Sequence, residues 1–274
     1  MGYRTLLVHL EQGHSNADLL QIAGDLSQVF DAGVIGMAAL PPVVDADGNP
    51  SLPEAFVDPD RLASEMESME AEFRDALHAR AGALEFRTAH PAVDLAEAIS
   101  RQARSADLIV TCPARGDRHD ASRALNTGAL VMQAGRPVLL VPPSATTLMP
   151  ARIMIGWKDT RETRRAVLDA VPFLQRATEV RLIEIVAEGH MDAAWRDLDD
   201  LLKWLKHHGV SARAGLIPSN GGDDASQLHA AAEREACDVI VAGVYGHRRF
   251  REWMLGGVTR DLLLSPKRCS LVSH

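Results

Sequence analysis

The 274-residue sequence is short of several things that would narrow its function at once. Its three cysteines, at 112, 237 and 269, show neither C-x-x-C spacing nor histidines at zinc-finger intervals, which argues against a zinc finger and fits a reducing compartment. Aromatic residues make up only 4%, so aliphatic side chains and alanine must fill the interior. No apolar run approaches the roughly 18 residues a membrane span needs. The first ten residues have a short apolar stretch without a small-residue cleavage site and read as a strand rather than a signal peptide, so the expectation is a cytoplasmic protein. Positive charge is also in deficit. The net charge of −8 disfavours bulk binding to nucleic acid or to an anionic membrane. The P-loop pattern, Gly-x-Ser-x-Gly and His-Glu-x-x-His do not occur, and no acid–base constellation or metal-ligand set emerges, so an enzyme is not expected.

What is present is a repeated alternation of short β-branched runs with longer helical stripes, the signature of βαβ units around a parallel sheet. In the first half the pattern predicts strands at 5–10, 34–40, 84–88, 108–111 and 138–141. Helices are predicted at 17–30 with Asn16 as cap, along Leu62, Met66, Met69, Phe73 and Leu77, and at 93–104 and 122–134. Residues 41–60 hold five prolines and read as an inserted loop. The second half repeats the order. Its strands fall at 152–157, 180–186, 211–217, 239–243 and 269–273, and its helices carry Thr163 to Leu174, Trp195 to Leu205, 225–235 and 258–264. Asp223 or Asp224 is expected to cap the helix at Ala225, and His207 and His208 point to the surface.

The two halves align in register. Asp107-Leu-Ile-Val matches Asp238-Val-Ile-Val (238 − 107 = 131), and the strand from Arg136 falls on that from Lys267 at the same offset. The opening strands, taken from Arg4 and Arg152, are offset by 148, and the 17-residue difference is close to the length of the proline-rich insertion. The chain therefore reads as an internal duplication: a first domain at 1–143, a linker at 144–150 and a second domain at 151–274.

In an open parallel sheet ligands bind beyond the carboxyl ends of the strands. After the second copy's fourth strand come Gly243 and Gly246, then nine residues, then Gly256, Gly257 and Val258 opening a helix, a plausible phosphate cradle. The Gly-x-x-Gly, nine-residue, Gly spacing resembles the nucleotide loop of the universal stress protein family. So do the stretch from Gly246 to Leu263, the opening Ile155-Gly-Trp-Lys-Asp-Thr-Arg-Glu162, the helix end Val171-Pro-Phe-Leu174 and the segment Gly135-Arg-Pro-Val-Leu-Leu-Val-Pro142. The resemblance implies a tandem member of the family: two Rossmann-like α/β domains (adenine nucleotide alpha hydrolase-like), each a five-stranded parallel sheet of order 3-2-1-4-5 flanked by helices, paired within one chain, with a further homodimer left open. It implies a stress-response module holding ATP, AMP or ADP in the second domain, with an accompanying Mg2+ left open. The site would be formed by Gly243, Gly246, His247, Arg248, Gly256, Gly257, Val258 and Thr259, with Trp157, Lys158, Asp159 and Val186 from the first and second strands.

The sequence departs from the family pattern at two points. Lys158 stands where ATP-binding members carry an acidic residue, with Asp159 one further on, and Gly257 stands where Ser or Thr is usual. In the first copy Cys112 and Arg115 fall on the glycine positions and Leu10 on the acidic one, so that copy is expected to have lost the site. Two other readings remain: a nucleotide-free interaction protein whose glycines are structural, and an enzyme using Arg248, Arg249 and Arg251 on a phosphorylated small molecule.

Overall fold

The computed structural model describes residues 2–39, 59–89, 94–113, 125–187, 189–221, 224–244, 262–263 and 266–274. Ten strands and seven helices are described, in chain order β1 (Thr5–Leu10), α1 (Ala17–Phe30), β2 (Gly33–Ala39), α2 (Pro59–Leu77), β3 (Leu84–Ala89), α3 (Leu95–Gln102), β4 (Leu108–Thr111), α4 (Thr127–Ala134), β5 (Val138–Leu140), β6 (Arg152–Trp157), α5 (Arg161–Leu174), β7 (Glu179–Val186), α6 (Met191–His207), β8 (Ala212–Pro218), α7 (Asp224–Arg234), β9 (Val239–Gly243) and β10 (Cys269–Ser273). The expected helix at 258–264 lies mostly outside the described residues.

The chain divides into two compact units. One comprises Gly2–Arg136 with Ala145–Leu148; the other comprises Pro137–Ser144 with Met149–His274. In the first, β1 pairs in parallel with β2 on one side and β4 on the other, and β2 pairs with β3, giving the order 3-2-1-4. In the second, β6 lies between β7 and β9, β7 pairs with β8 and β9 with β10, all parallel, giving 3-2-1-4-5 in full. Strand β5 of the first copy counts with this second unit. It runs antiparallel along β10, with Leu139 opposite Leu271. These are the tandem Rossmann-like domains the sequence implied.

The central strands are buried on both faces, as parallel sheets under helices are, while β3 and β8 are only partly covered. Leu6, Leu7, Val8, Ile153, Met154, Ile155, Val239, Ile240 and Val241 are all fully enclosed. Helix α1 turns Leu19, Leu20, Ile22, Ala23, Leu26 and Phe30 inward, and ends where Asp31 takes a left-handed conformation at φ 52°. Helix α5 begins at Thr160, whose hydroxyl accepts from the backbone N–H of Thr163 at 3.2 Å.

Several expected boundaries move for local reasons. Helix α2 starts at Pro59, inside the stretch read as loop, because proline suits the first helical position. Helix α3 starts after Asp94, whose carboxylate caps Glu97 N, and runs on into a 3-10 turn at Ala103–Ser105. Helix α4 starts at Thr127 because the Asn126 side chain caps Ala129 N at 2.9 Å. Asn16 occupies the cap position of α1 but does not cap it: its Oδ1 accepts from Glu11 N instead. Asp224 is the first residue of α7 and accepts from the Ser219 hydroxyl, while Asp223 lies outside the described residues.

The backbone corrects the alignment of the two copies. Asp107 Oδ2 accepts from the N–H groups of Arg4 and Thr5, and Asp238 Oδ2 accepts from those of Ala151 and Arg152. Thr5 therefore corresponds to Arg152, an offset of 152 − 5 = 147 rather than 148. The strand registers agree, with Leu6 opposite Leu108 and Ile153 opposite Val239. From the second strand to the third, the first copy runs from Val34 to Leu84 and the second from Val180 to Ala212, so the first copy is longer there by (84 − 34) − (212 − 180) = 18 residues. The insertion is thereby localised between β2 and β3.

Candidate functional site

In the second copy β6 lies between β7 and β9, so the chain continues from β6 and from β9 to opposite sides, and the strand ends at such a switch point are where this class of fold takes its ligands. Trp157 and Gly243 are the last residues of the two strands. Gly243 sits so close to the first turn of α5 that an added Cβ would lie 2.2 Å from Thr163 N and 2.4 Å from Glu162 C. Backbone cannot yield as a flexible side chain can, so the absence of a side chain at 243 is required by strand–helix packing. The start of α5 already carries its own counter-charge. Burial would raise the Glu162 carboxyl, but hydrogen bonds from Arg161, from its own backbone N–H and from Thr160 outweigh that and hold it below the usual range.

A polar pair lies on the opposite side of β6 from α7. Gly156 faces Leu228 of α7, so Trp157, one residue on, faces the other way. Its register partner on β7 is Glu184, and side chains paired in register share a face. Trp157 is only 7% exposed, and its indole N–H, fully enclosed, has no hydrogen-bond partner. Glu184 Oε2 is likewise enclosed and without a partner. Burial pushes the Glu184 carboxyl up; Asp197 of α6 and Asp159 add to the shift, and Lys158 opposes it. Unpaired buried polar groups cost about 1–3 kcal/mol each, so a donor and an acceptor left side by side at the end of a sheet are a place where a ligand is worth looking for. Trp157 is among the residues expected at the site, whereas Glu184 stands out in the sequence only as a lone acidic residue near the end of the run from Val180 to Val186.

Of the other residues expected at the site, those described lie at or just beyond the ends of β6, β7 and β9. Lys158 and Asp159 are exposed in the turn before α5, and Asp159 pairs with Arg164 at 2.9 Å. Val186, at the end of β7, is buried, and its carbonyl accepts from Ser219 N at 2.8 Å. Gly246, His247, Arg248, Gly256, Gly257, Val258 and Thr259 lie outside the described residues, as do Arg115, Arg249 and Arg251.

The first copy differs at the matching place. With the offset of 147, Glu11 and not Leu10 corresponds to Lys158, so the acidic residue thought missing from this copy is present. The reason is the one-residue slip: the opening strands align from Thr5 and Arg152. Residues 11–16 connect β1 to α1, against 158–160 between β6 and α5. Asn16 staples this longer loop, accepting from Glu11 N at 2.9 Å and donating to Glu11 O at 3.1 Å. Gln12 donates to Glu65 of α2, which carries a helical side chain across the strand ends. Where the second copy has Gly156 and Ala242, this copy has His9 and Thr111, buried and 3.0 Å apart. Burial lowers the His9 imidazole to about 4, so it is neutral at physiological pH.

No helix among the described residues is long and apolar enough to cross a membrane. By sequence the chain matches no family model and no curated protein. By structure it is similar to a universal stress protein from Archaeoglobus fulgidus, at 14% identity and a TM-score of 0.76, covering 98% of this chain and 97% of that one. It is also similar to a protein of unknown function from Pseudomonas aeruginosa PAO1, at 14% identity and a TM-score of 0.62, covering 99% and 92%. Over nearly its whole length, the chain has the tandem fold found in a universal stress protein.

Proposed function

We propose that the chain is a tandem universal stress protein in which the second copy binds ATP or a related adenine nucleotide, and in which occupancy alters an interaction surface. One observation carries the reading: the two copies differ at the strand ends where this class of fold takes its ligands. The first copy crosses that place with Gln12, Glu65 and the Asn16 staple. The second has the shorter connection, and Trp157 Nε1 and Glu184 Oε2 are enclosed there without partners, as Gln12 Oε1 is in the first copy. The spacing of Gly243, Gly246 and Gly256 supports a phosphate cradle on the same copy. Thermal unfolding with ATP, ADP, AMP and inorganic pyrophosphate tests it. Stabilisation by the nucleotides and not by pyrophosphate is expected, and its loss in Gly246→Val would place the phosphates at the glycine loop. No shift at millimolar ATP overturns the reading.

A second reading is favoured by Gly243, whose missing side chain is accounted for by the backbone of Glu162 and Thr163 without any ligand. On that reading the glycines are structural and the duplication fixes a nucleotide-free interaction module. The same titration separates the two.

A further inference from the structure

We infer that the open edge of β8 is a docking surface for a second molecule of this chain, paired strand to strand about a two-fold axis at Ala214. Among the described residues β8 has a neighbouring strand on one side only, β7. One contact tells which main-chain groups turn outward. Ser219 N donates to Val186 O at 2.8 Å, so Ser219 and the alternate residues before it, Ile217, Gly215 and Arg213, direct their N–H and C=O groups at β7. Ala212, Ala214, Leu216 and Pro218 therefore direct theirs to the open side. Pro218 has no N–H, which closes the free ladder at its end. The N–H and C=O groups of Ala212, Ala214 and Leu216 remain, and such a row is a template for another strand.

The occupant follows from how this ladder matches itself. In an antiparallel pair centred on Ala214, Ala212 of one chain stands opposite Leu216 of the other, Ala214 stands opposite Ala214, and each of those N–H and C=O groups finds a partner. Arg213 falls opposite Gly215, where the missing side chain leaves it room and no like charge faces it. Moving the axis by one residue loses the match. It sets Arg213 against Arg213, or Pro218 against Ala212 with the Ala212 carbonyl unpaired. An axis normal to the sheet also keeps both α6 helices on one face, side by side. Helix α6 buries Ala194, Leu198 and Leu205. On one flank of that line Asp197 faces Glu184 of β7, and at the helix end the His208 carbonyl accepts from Gln175. Met191, Trp195 and Leu202 lie on the other flank, turned away from β7 toward the open edge. Trp195 is 46% exposed there. The same two-fold axis lays these apolar flanks against each other, so the free ladder and the exposed indole are covered together.

The test is sedimentation velocity of the full chain between about 1 and 100 μM, using wild type, Ala214→Pro and Trp195→Asp. Wild type should pass from monomer to dimer across this range. Ala214→Pro removes a donor that faces open solvent in the single chain, so its melting temperature should stay near wild type while the dimer weakens about tenfold. Trp195→Asp, at a side chain already half in solvent, should weaken the dimer about tenfold as well. Hydrogen exchange supplies a readout of register. At the higher concentration the amides of Ala212, Ala214 and Leu216 should slow, while those of Arg213 and Gly215, already bonded to β7, should not change. If Ala214→Pro melts well below wild type, Trp195→Asp and the exchange pattern decide without it. A chain that stays monomeric throughout the range overturns the inference. So does a dimer that a natively folded variant leaves intact, or protection along β8 that does not alternate.

Discussion

Asp107 and Asp238 hold the same place in the two copies, each taking two consecutive backbone N–H groups of the strand that opens its domain. The contacts lie between 2.7 and 3.0 Å, and in each copy the aspartate's own N–H returns to that strand at 2.8 Å. A carboxylate shared by two amides at the start of the central strand ties β1 to β4 and β6 to β9. Asp107→Ala and Asp238→Ala should each cost about 1–2 kcal/mol by losing a charge-assisted pair of hydrogen bonds, while Asn in either place, which keeps one acceptor, should cost less. Urea unfolding of the four variants measures this; a cost in one copy only would mean the equivalence is geometric and not energetic.

This repeated aspartate also shows what was legible in the sequence. The motif gave the duplication, the strand count and the offset of 131, because strand ends buried on both faces write themselves as aliphatic runs. It could not give the first-strand register, since Leu6, Leu7 and Val8 align about as well with one trio of aliphatic residues as with the next. Only the hydrogen bonds of Asp107 and Asp238 decide it. Asn16 departs from the expected cap for a related reason: an asparagine before a helix serves a cap or a loop staple equally, and the longer connection in the first copy recruits it to Glu11. Glu184 does not stand out in the sequence because Trp157, its neighbour in register, lies on another strand that sequence spacing cannot place beside it.

Gly243 and Gly156 make a pair of opposite tests. An alanine Cβ at 243 would meet backbone of α5 at 2.2 Å, whereas at 156 it would meet the end of the Leu228 side chain at 2.9 Å. The first can be relieved only by moving the helix start, the second by a rotamer change. Gly243→Ala should therefore lower stability by about 2 kcal/mol or more and Gly156→Ala by about 1 kcal/mol. Differential scanning calorimetry compares them, and a Gly243→Ala protein as stable as wild type would show that α5 does not constrain this position.

His9 gives the first copy a dependence on pH with a definite sign. Its imidazole is held neutral down to about 4 in the folded chain, against an ordinary value of 6.5. Between those values the unfolded chain binds a proton that the folded chain refuses, so stability is complete above 6.5 and is lost as the pH falls toward about 4. The gap allows a loss on the order of 3 kcal/mol at its acid end. His9→Gln, which keeps a polar group beside Thr111, should remove that portion of the acid sensitivity between pH 6.5 and 4. Matched urea curves for wild type and variant across the range would refute the assignment if their slopes against pH are the same.

The three cysteines should react in an order set by burial. Cys237 and Cys269 are buried, and burial, offset in part by Arg268, pushes the Cys237 thiol up to about 11. A thiol held protonated and enclosed is a poor nucleophile, because the thiolate is the reacting species. Cys112, at the end of the fourth strand, is partly exposed. In the native protein a disulfide reagent at pH 8 should therefore label one thiol per chain quickly, with mass spectrometry placing it at 112, and the other two only on unfolding. Fast labelling of Cys237 in the folded protein would mean that the segment from Glu235 to Asp238 opens locally, and the rate at which it does so would follow the stability of α7 rather than of the whole domain.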